Sequence, residues 1–290
     1  MKHRIEPLIA ERAPWLAHGR NPLIRAAMDR LLALNETLDL AEVCAPLPSD
    51  RILSIVSSLI ACTTSLQGRE NIPRHGPALI VANHPTGIAD GIILHHLIAP
   101  IRPDLFFYAN SDILRVLPQL SDRIAPVEWR PEKRSHSKSR ATLDFTRQAV
   151  AAGRMGVLFP SGRLAQRRGL GLHERPWMAS AAMIARKHDL PVIPVNIRAR
   201  NSALFYLLDL IHPTLRDITL FHEVLNKASQ PYEVTVGRPI PACQLPRCNE
   251  ATIAMLREAT LSLGAPKRAA LSLWETSPTP SWLEALAPLH

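Results

Sequence analysis

The chain has few of the features that define the simplest protein classes. Four cysteines in 290 residues (Cys44, Cys62, Cys243 and Cys248) are too few for a disulfide scaffold of this size. Cys243 and Cys248 stand five apart with no matching pair elsewhere, which is not a zinc-ligand spacing, so all four read as reduced thiols. Aromatic residues make up 5%, and no zinc-finger or RNA-recognition signature appears, so no nucleic-acid partner is expected. Glycine is modest at 12, and the 26 prolines follow no low-complexity period. Long apolar runs are missing as well. The longest uncharged stretch, between Arg51 and Arg69, is diluted by Ser54, Ser57, Ser58, Thr63, Thr64, Ser65 and Gln67, where a span needs about 20 mostly apolar residues. A second run, Ala203 to Leu208, is broken by Asp209. Glu6 and Glu11 occupy the stretch that a signal peptide keeps uncharged, so the expected location is the cytoplasmic side.

What is present suits a folded chain with a sizeable core: 47% hydrophobic and 20% charged residues. The length fits two domains or one α/β domain with an extension. Thirty-four basic against 25 acidic residues leave a net charge of +9, which calls for an anionic partner without choosing among membrane, nucleic acid and phosphorylated substrate.

The first seventy residues read as helical. Leu23, Ile24, Ala27, Met28, Leu31, Leu32 and Leu34 recur at helix spacing behind Asn21-Pro22. A second stripe, Ile52, Ile55, Val56, Leu59 and Ile60, follows Ser49 or Asp50 as its cap. Either stripe serves packing against the rest of the protein or a platform on lipid. From residue 77 short apolar runs alternate with helical patterns. Strands are expected at 78–81, 105–108, 124–127, 157–159, 192–195 and 232–236, and helices at 141–152, 178–188 and 252–263. The expectation is an α/β fold: a mostly parallel or mixed central sheet flanked by helices, with an N-terminal helical extension. The corresponding divisions are 1–70, 71–264 and a Pro- and Ser-rich tail at 265–290 that holds Trp274 and Trp282.

The segment Val81-Ala82-Asn83-His84-Pro85-Thr86-Gly87-Ile88-Ala89-Asp90 runs from a strand end through a turn into a helix start, the place where α/β folds put ligands. His84 lies at the strand's carboxyl end, and Asp90 is placed to reach its ring. Such a pair fixes the imidazole tautomer and makes a general base, worth roughly a hundred- to ten-thousand-fold in rate. An isolated His and Asp more often stabilise a turn and cap a helix. A second strand-turn, Val157-Leu158-Phe159-Pro160-Ser161-Gly162-Arg163, supplies a guanidinium fork suited to phosphate or carboxylate, with Arg167 and Arg168 beside it. There is no Gly-x-Ser-x-Gly elbow for a nucleophile. The adjacent His95 and His96 point about 100° apart on a helix and read as ordinary helix residues, so no metal site is expected. The basic stretch from Arg123 to Arg140 is a solvated loop or a contact for anionic lipid or an acidic carrier protein.

Asn83-His84-Pro85 with Asp90 downstream, then Phe159-Pro160-Ser161-Gly162-Arg163, then Val192-Ile193-Pro194-Val195, resembles the glycerolipid acyltransferase superfamily that includes lysophosphatidate acyltransferases. Within it, the chain is similar to the hemolysin-like branch that includes lyso-ornithine-lipid acyltransferases. That branch also has five residues between His and Asp, and phrases like Tyr108-Ala109-Asn110-Ser111-Asp112 and Val236-Gly237-Arg238-Pro239-Ile240. The resemblance covers about residues 72–242. It implies His84 as general base with Asp90 orienting it, and a substrate pocket drawn from Asn83, Ser161, Gly162, Arg163 and Arg130. It implies backbone N–H groups near Gly87 or Gly162 for the oxyanion. It implies transfer of a fatty acyl group to a lysolipid hydroxyl, of lyso-ornithine or 1-acylglycerol-3-phosphate type. No bound cofactor is implied, only an acyl-carrier-protein or coenzyme A thioester as co-substrate. The implied setting is a peripheral one on an anionic membrane surface, at the cytoplasmic side of the inner membrane. Ser161 stands where the family usually carries Glu, and a non-catalytic lipid-binding protein on the same scaffold is the alternative.

Overall fold

The computed structural model describes residues 2–12, 34–61, 63–128, 135–169, 171–211, 219, 223 and 230–264. Three helices come first: α1 (Lys2–Arg12), α2 (Leu34–Cys44) and α3 (Ser49–Ile60). Then follow β1 (Thr64–Gln67), β2 (Ala78–Ala82), α4 (Ile88–Ile98), β3 (Phe106–Asn110), α5 (Asp112–Val116), β4 (Ile124–Val127), α6 (His136–Ala151) and β5 (Met155–Leu158). A hairpin of β6 (Gln166–Arg168) and β7 (Gly171–His173) precedes α7 (Ser180–Lys187), β8 (Val192–Arg198), α8 (Ala203–Ile211), β9 (Tyr232–Val236) and α9 (Asn249–Leu261). The expected helix at 22–34 lies outside the described residues apart from Leu34, which belongs to α2; the tail at 265–290 lies outside them entirely.

The sheet has seven strands in the order β1-β9-β8-β2-β5-β3-β4, and only the β8–β9 pair is antiparallel. This is the mixed sheet flanked by helices that the alternation of apolar runs predicts. β2 lies in the middle between β8 and β5, with Ile80 opposite Ile193 and Val157. All five of its residues are buried, which is why it reads as a continuous apolar run rather than an alternating one. Its odd and even positions serve two cores. Ile80 and Ala82 pack with Ile52, Ile60, Ile93 and Phe107, on the face covered by α3 and α4. Leu79 and Val81 pack with Phe106, Ala181, Leu190 and Leu256, on the face covered by α7 and α9.

The apolar stripe of α3 serves the first of these cores. Ile52 and Ile60 are 2% and 1% exposed, and burial of each such side chain contributes about 1.5–3 kcal/mol. At the opposite end from the strands' carboxyl ends, Arg102 is buried in a cage of acceptors. It donates to both oxygens of Asp104 (2.8 and 2.7 Å) and to the carbonyls of Pro73 (2.7 Å), Gly76 and Gly153 (both 3.0 Å). These groups precede β2, β3 and β5, so one guanidinium ties three strand starts together. Burial pushes the Asp104 carboxyl upward, but the hydrogen bonds and charge of Arg102 outweigh it and hold it below its usual range.

Candidate active site

β2 delivers His84 to the carboxyl end of the sheet. Gly87 then takes φ 98° and ψ −130°, a conformation open to glycine, and this turns the chain into α4. Asp90, the third residue of α4, reaches back to accept from the Gly87 N–H at 2.9 Å, half of a capping box. It also accepts from the Thr86 N–H (2.9 Å) and the Thr86 hydroxyl (2.6 Å). His84 Nδ1 lies 2.9 Å from the same Oδ2 that takes the two backbone bonds. The helix-capping reading and the histidine-partner reading of Asp90 therefore both hold, for one carboxylate.

Asp90 is fully buried, whereas the His84 side chain is 18% exposed. The Nδ1–Asp90 approach is short, but the in-plane N–H direction misses the oxygen, so the contact is an ion-pair approach rather than an aligned hydrogen bond. Such bonds commonly tighten when substrate binds. The ring stacks on Phe159 with centroids 4.2 Å apart. With Nδ1 turned to Asp90, Nε2 is the nitrogen left for a substrate proton.

Behind Asp90 runs a chain that sequence reasoning missed. The Tyr232 hydroxyl, on β9, lies 2.6 Å from the Thr86 hydroxyl. The single Thr86 proton goes to Asp90, since an ionised carboxylate only accepts, so Tyr232 donates to Thr86. Burial pushes the Tyr232 hydroxyl well above its ordinary value, which keeps that proton in place. The available signal was a tyrosine opening a buried strand, whose O–H must find a partner inside.

Glu174 is a second group that sequence reasoning missed. Its Oε2 accepts from the His84 backbone N–H and its Oε1 from the Trp177 indole, both at 3.2 Å. Burial raises its pKa, against the lowering effect of the His84 N–H. The sequence lacks a carboxylate at Ser161, but one arrives beside the histidine from a residue thirteen positions later.

The other expected site residues are distributed as follows. Asn83 donates to the Ile197 carbonyl (2.8 Å) and accepts from the Ile197 N–H (2.7 Å). Both ends of its amide thus extend the β2–β8 pairing, while the residue also lines the cavity described below. Ser161 is buried and donates to the Arg163 carbonyl (2.8 Å), which shapes the turn. Gly162 has φ +60°, and an added Cβ would come within 2.6 Å of Met178. Its N–H donates to the Phe159 carbonyl (2.9 Å), and the Gly87 N–H is engaged by Asp90. These two N–H groups are thus engaged within the turns, which leaves the oxyanion expectation to other backbone N–H groups near them. Arg163 is exposed on the turn, and the Ala165 N–H, two residues on, donates to the His84 carbonyl (2.9 Å). The turn is thereby tied to the histidine loop. Arg130 lies outside the described residues.

A cavity of about 1250 Å³ lies between β8, α9 and the segment after β7. Its wall includes Asn83, Pro85, Glu174 and Trp177, which neighbour His84, but not His84 itself. Among the described residues no group of three or more His, Cys, Asp or Glu side chains is placed to hold a metal ion, and no helix is long and apolar enough to cross a membrane.

Known proteins resemble this chain in part. The family model described as Acyltransferase matches residues 64–198, which run from β1 to the end of β8. A lyso-glycine lipid O-acyltransferase of Phocaeicola vulgatus is 26% identical over 182 residues, 61% of this chain and 63% of that protein. A protein of the same name from Bacteroides thetaiotaomicron is 24% identical over 185 residues, 61% of this chain and 65% of its own length. The chain thus spans less than two thirds of the curated relatives it matches. The solved 1-acyl-sn-glycerophosphate acyltransferase PlsC of Thermotoga maritima aligns with a TM-score of 0.49 at 16% identity, covering 83% of this chain and 95% of that one.

Proposed function

We propose that the chain, whose residues 64–198 match the acyltransferase family model, is a lysolipid O-acyltransferase with His84 as its general base. The observation that carries the reading is the imidazole held 2.9 Å from a fully buried carboxylate while the histidine side chain stays 18% exposed. The donor is a fatty acyl thioester of acyl-carrier protein or coenzyme A. The acceptor is a lysolipid hydroxyl; head groups joined through an amino acid, glycine or ornithine, rank ahead of glycerol phosphate, given what the relatives are named for.

In the reaction, His84 Nε2 takes the proton of the acceptor hydroxyl as its oxygen attacks the thioester carbonyl. The C–O bond forms, the C–S bond breaks, and the imidazolium returns its proton to the departing thiolate. Asp90 keeps the proton on Nδ1 and stabilises the imidazolium; the Thr86 hydroxyl, backed by Tyr232, holds the Asp90 carboxylate in position. Arg163 holds the acceptor's anionic head group. No covalent acyl-enzyme is required, consistent with the lack of a nucleophile elbow. The protein works as a peripheral enzyme on the cytoplasmic face of a membrane.

The test is a labelled acyl thioester offered with a panel of lysolipids to the wild-type protein and to His84→Ala. The reading expects an acylated product that falls by roughly a hundred- to ten-thousand-fold in the variant. Equal product from both, or acceptor binding without product from either, overturns it, the second outcome in favour of a non-catalytic lipid-binding protein.

A further inference from the structure

Helix α8 turns an apolar stripe outward. Ala203, Leu207 and Leu210, spaced i, i+4 and i+7, are all exposed, Leu207 at 55% and Leu210 at 63%. A helix facing water reserves that stripe for polar residues. The opposite side of α8 is packed: Phe205 and Tyr206 cluster with Leu172, Leu164 and Ala165. The helix therefore lies against the β6–β7 hairpin and the turn that leads into it.

That hairpin is cationic. Arg168 is exposed. Arg167 is half-buried and donates from one nitrogen to the Gly169 carbonyl (2.9 Å). The unit is also joined to the catalytic turn. The Asn201 side chain donates to the Thr86 carbonyl (3.4 Å), and the Asn201 N–H donates to the Tyr206 hydroxyl (3.1 Å). The Ser202 hydroxyl accepts from the Phe205 N–H (3.2 Å) and so caps the helix start.

We propose that α8 and the β6–β7 hairpin form one surface that docks on an anionic lipid bilayer, with Leu207 and Leu210 in the acyl boundary and Arg167 and Arg168 at the head groups. An apolar helix face beside arginines is the pattern of an interfacial helix, and the chain's charge of +9 complements an anionic surface. Of the apolar stripe of α3, the other candidate for lipid, Ile52 and Ile60 are engaged inside the protein and Leu59 is exposed. Docking here sets the Thr86–Asp90 turn next to the leaflet that holds the acceptor. The proposal rests on the lysolipid reading above for its purpose, but its test does not need acyl transfer.

The test is co-sedimentation of the full chain with phosphatidylcholine vesicles, with and without phosphatidylglycerol. Leu207→Ser with Leu210→Ser is expected to weaken partitioning by about tenfold or more. Arg167→Gln with Arg168→Gln is expected to weaken it by about fivefold per arginine, on the phosphatidylglycerol vesicles only. Both variants should keep the wild-type melting temperature, and the leucine variant the wild-type turnover of a monodisperse short-chain lysolipid. Unchanged partitioning of the leucine variant overturns the proposal, and so does partitioning lost in Leu59→Ser instead, which assigns the bilayer to α3. Leucine-dependent partitioning by a protein that acylates no soluble lysolipid upholds the surface and defeats the enzymatic reading instead.

Discussion

Arg102 and Asp90 are both buried charges, 2% and 0% exposed, at opposite ends of the same parallel strands. Arg102 has its charge partner, Asp104, and three carbonyls inside hydrogen-bond range, and nothing about it faces outward. Asp90 is as well supplied on its inner side, by two N–H groups and a hydroxyl, but its remaining partner is a histidine that is partly exposed and incompletely aligned. A charge satisfied on all sides fixes a fold. A charge satisfied on all sides but one leaves its last interaction to be completed by a ligand. The amino end of the sheet is therefore built for stability, and the carboxyl end for chemistry.

Four predictions break or sharpen that contrast. Asp90→Asn should give the largest effect, lowering kcat/KM by about a thousand- to ten-thousand-fold, because the amide cannot hold the imidazole in its working tautomer. Acyl-transfer assays corrected for the folded fraction check it; a loss that vanishes on correction makes Asp90 another Arg102. Arg102→Met should cost about 3–5 kcal/mol by leaving Asp104 and three carbonyls without their donor. In thermal melts that is about 2–4 °C for each kcal/mol, with turnover per folded molecule at the wild-type level.

Thr86→Val should come next. It removes the hydroxyl between Tyr232 and Asp90 and should cost about 1–3 kcal/mol together with roughly tenfold in kcat. Thr86→Ser should restore both, and a variant that loses stability but no rate would place the relay in the scaffold. The smallest effect is on the pH dependence of urea unfolding, where the two ends carry opposite signs. The Asp104 pKa is lowered on folding, so its contribution is present above its unfolded pKa and disappears as pH falls through the folded value. The Glu174 pKa is raised on folding, so its contribution favours the folded state at acid pH and fades as pH rises from the unfolded toward the folded value. Asp104→Asn should flatten the acid limb, and Glu174→Gln should remove the opposing slope just above it; slopes of one sign in both would contradict the assignment.

Much of this architecture is legible in the sequence, for physical reasons that differ from place to place. β2 and β8 announce themselves as apolar runs because both their faces are buried, and β9 as an alternating run because one of its faces is. β1 does not, since Thr64-Ser65-Leu66-Gln67 is an edge strand with a polar, half-exposed pattern. The His84–Asp90 pair can be read because the turn between them is short. Glu174 and Tyr232 cannot, since they reach the site from β7's end and from β9, 90 and 146 residues from their partners. The strand pairing completed by the Asn83 amide is not legible either, since its partner Ile197 lies 114 residues away. The exposed stripe of α8 was visible only as an apolar run, since which side of a helix meets solvent is a tertiary fact.

The most direct measurement is the acyl-transfer rate and the melting temperature of a single His84→Gln preparation. The account predicts a rate lower by about a hundredfold or more with a melting temperature essentially that of the wild type. A rate within about twofold of wild type, or a melt shifted as far as that of Arg102→Met, would contradict it.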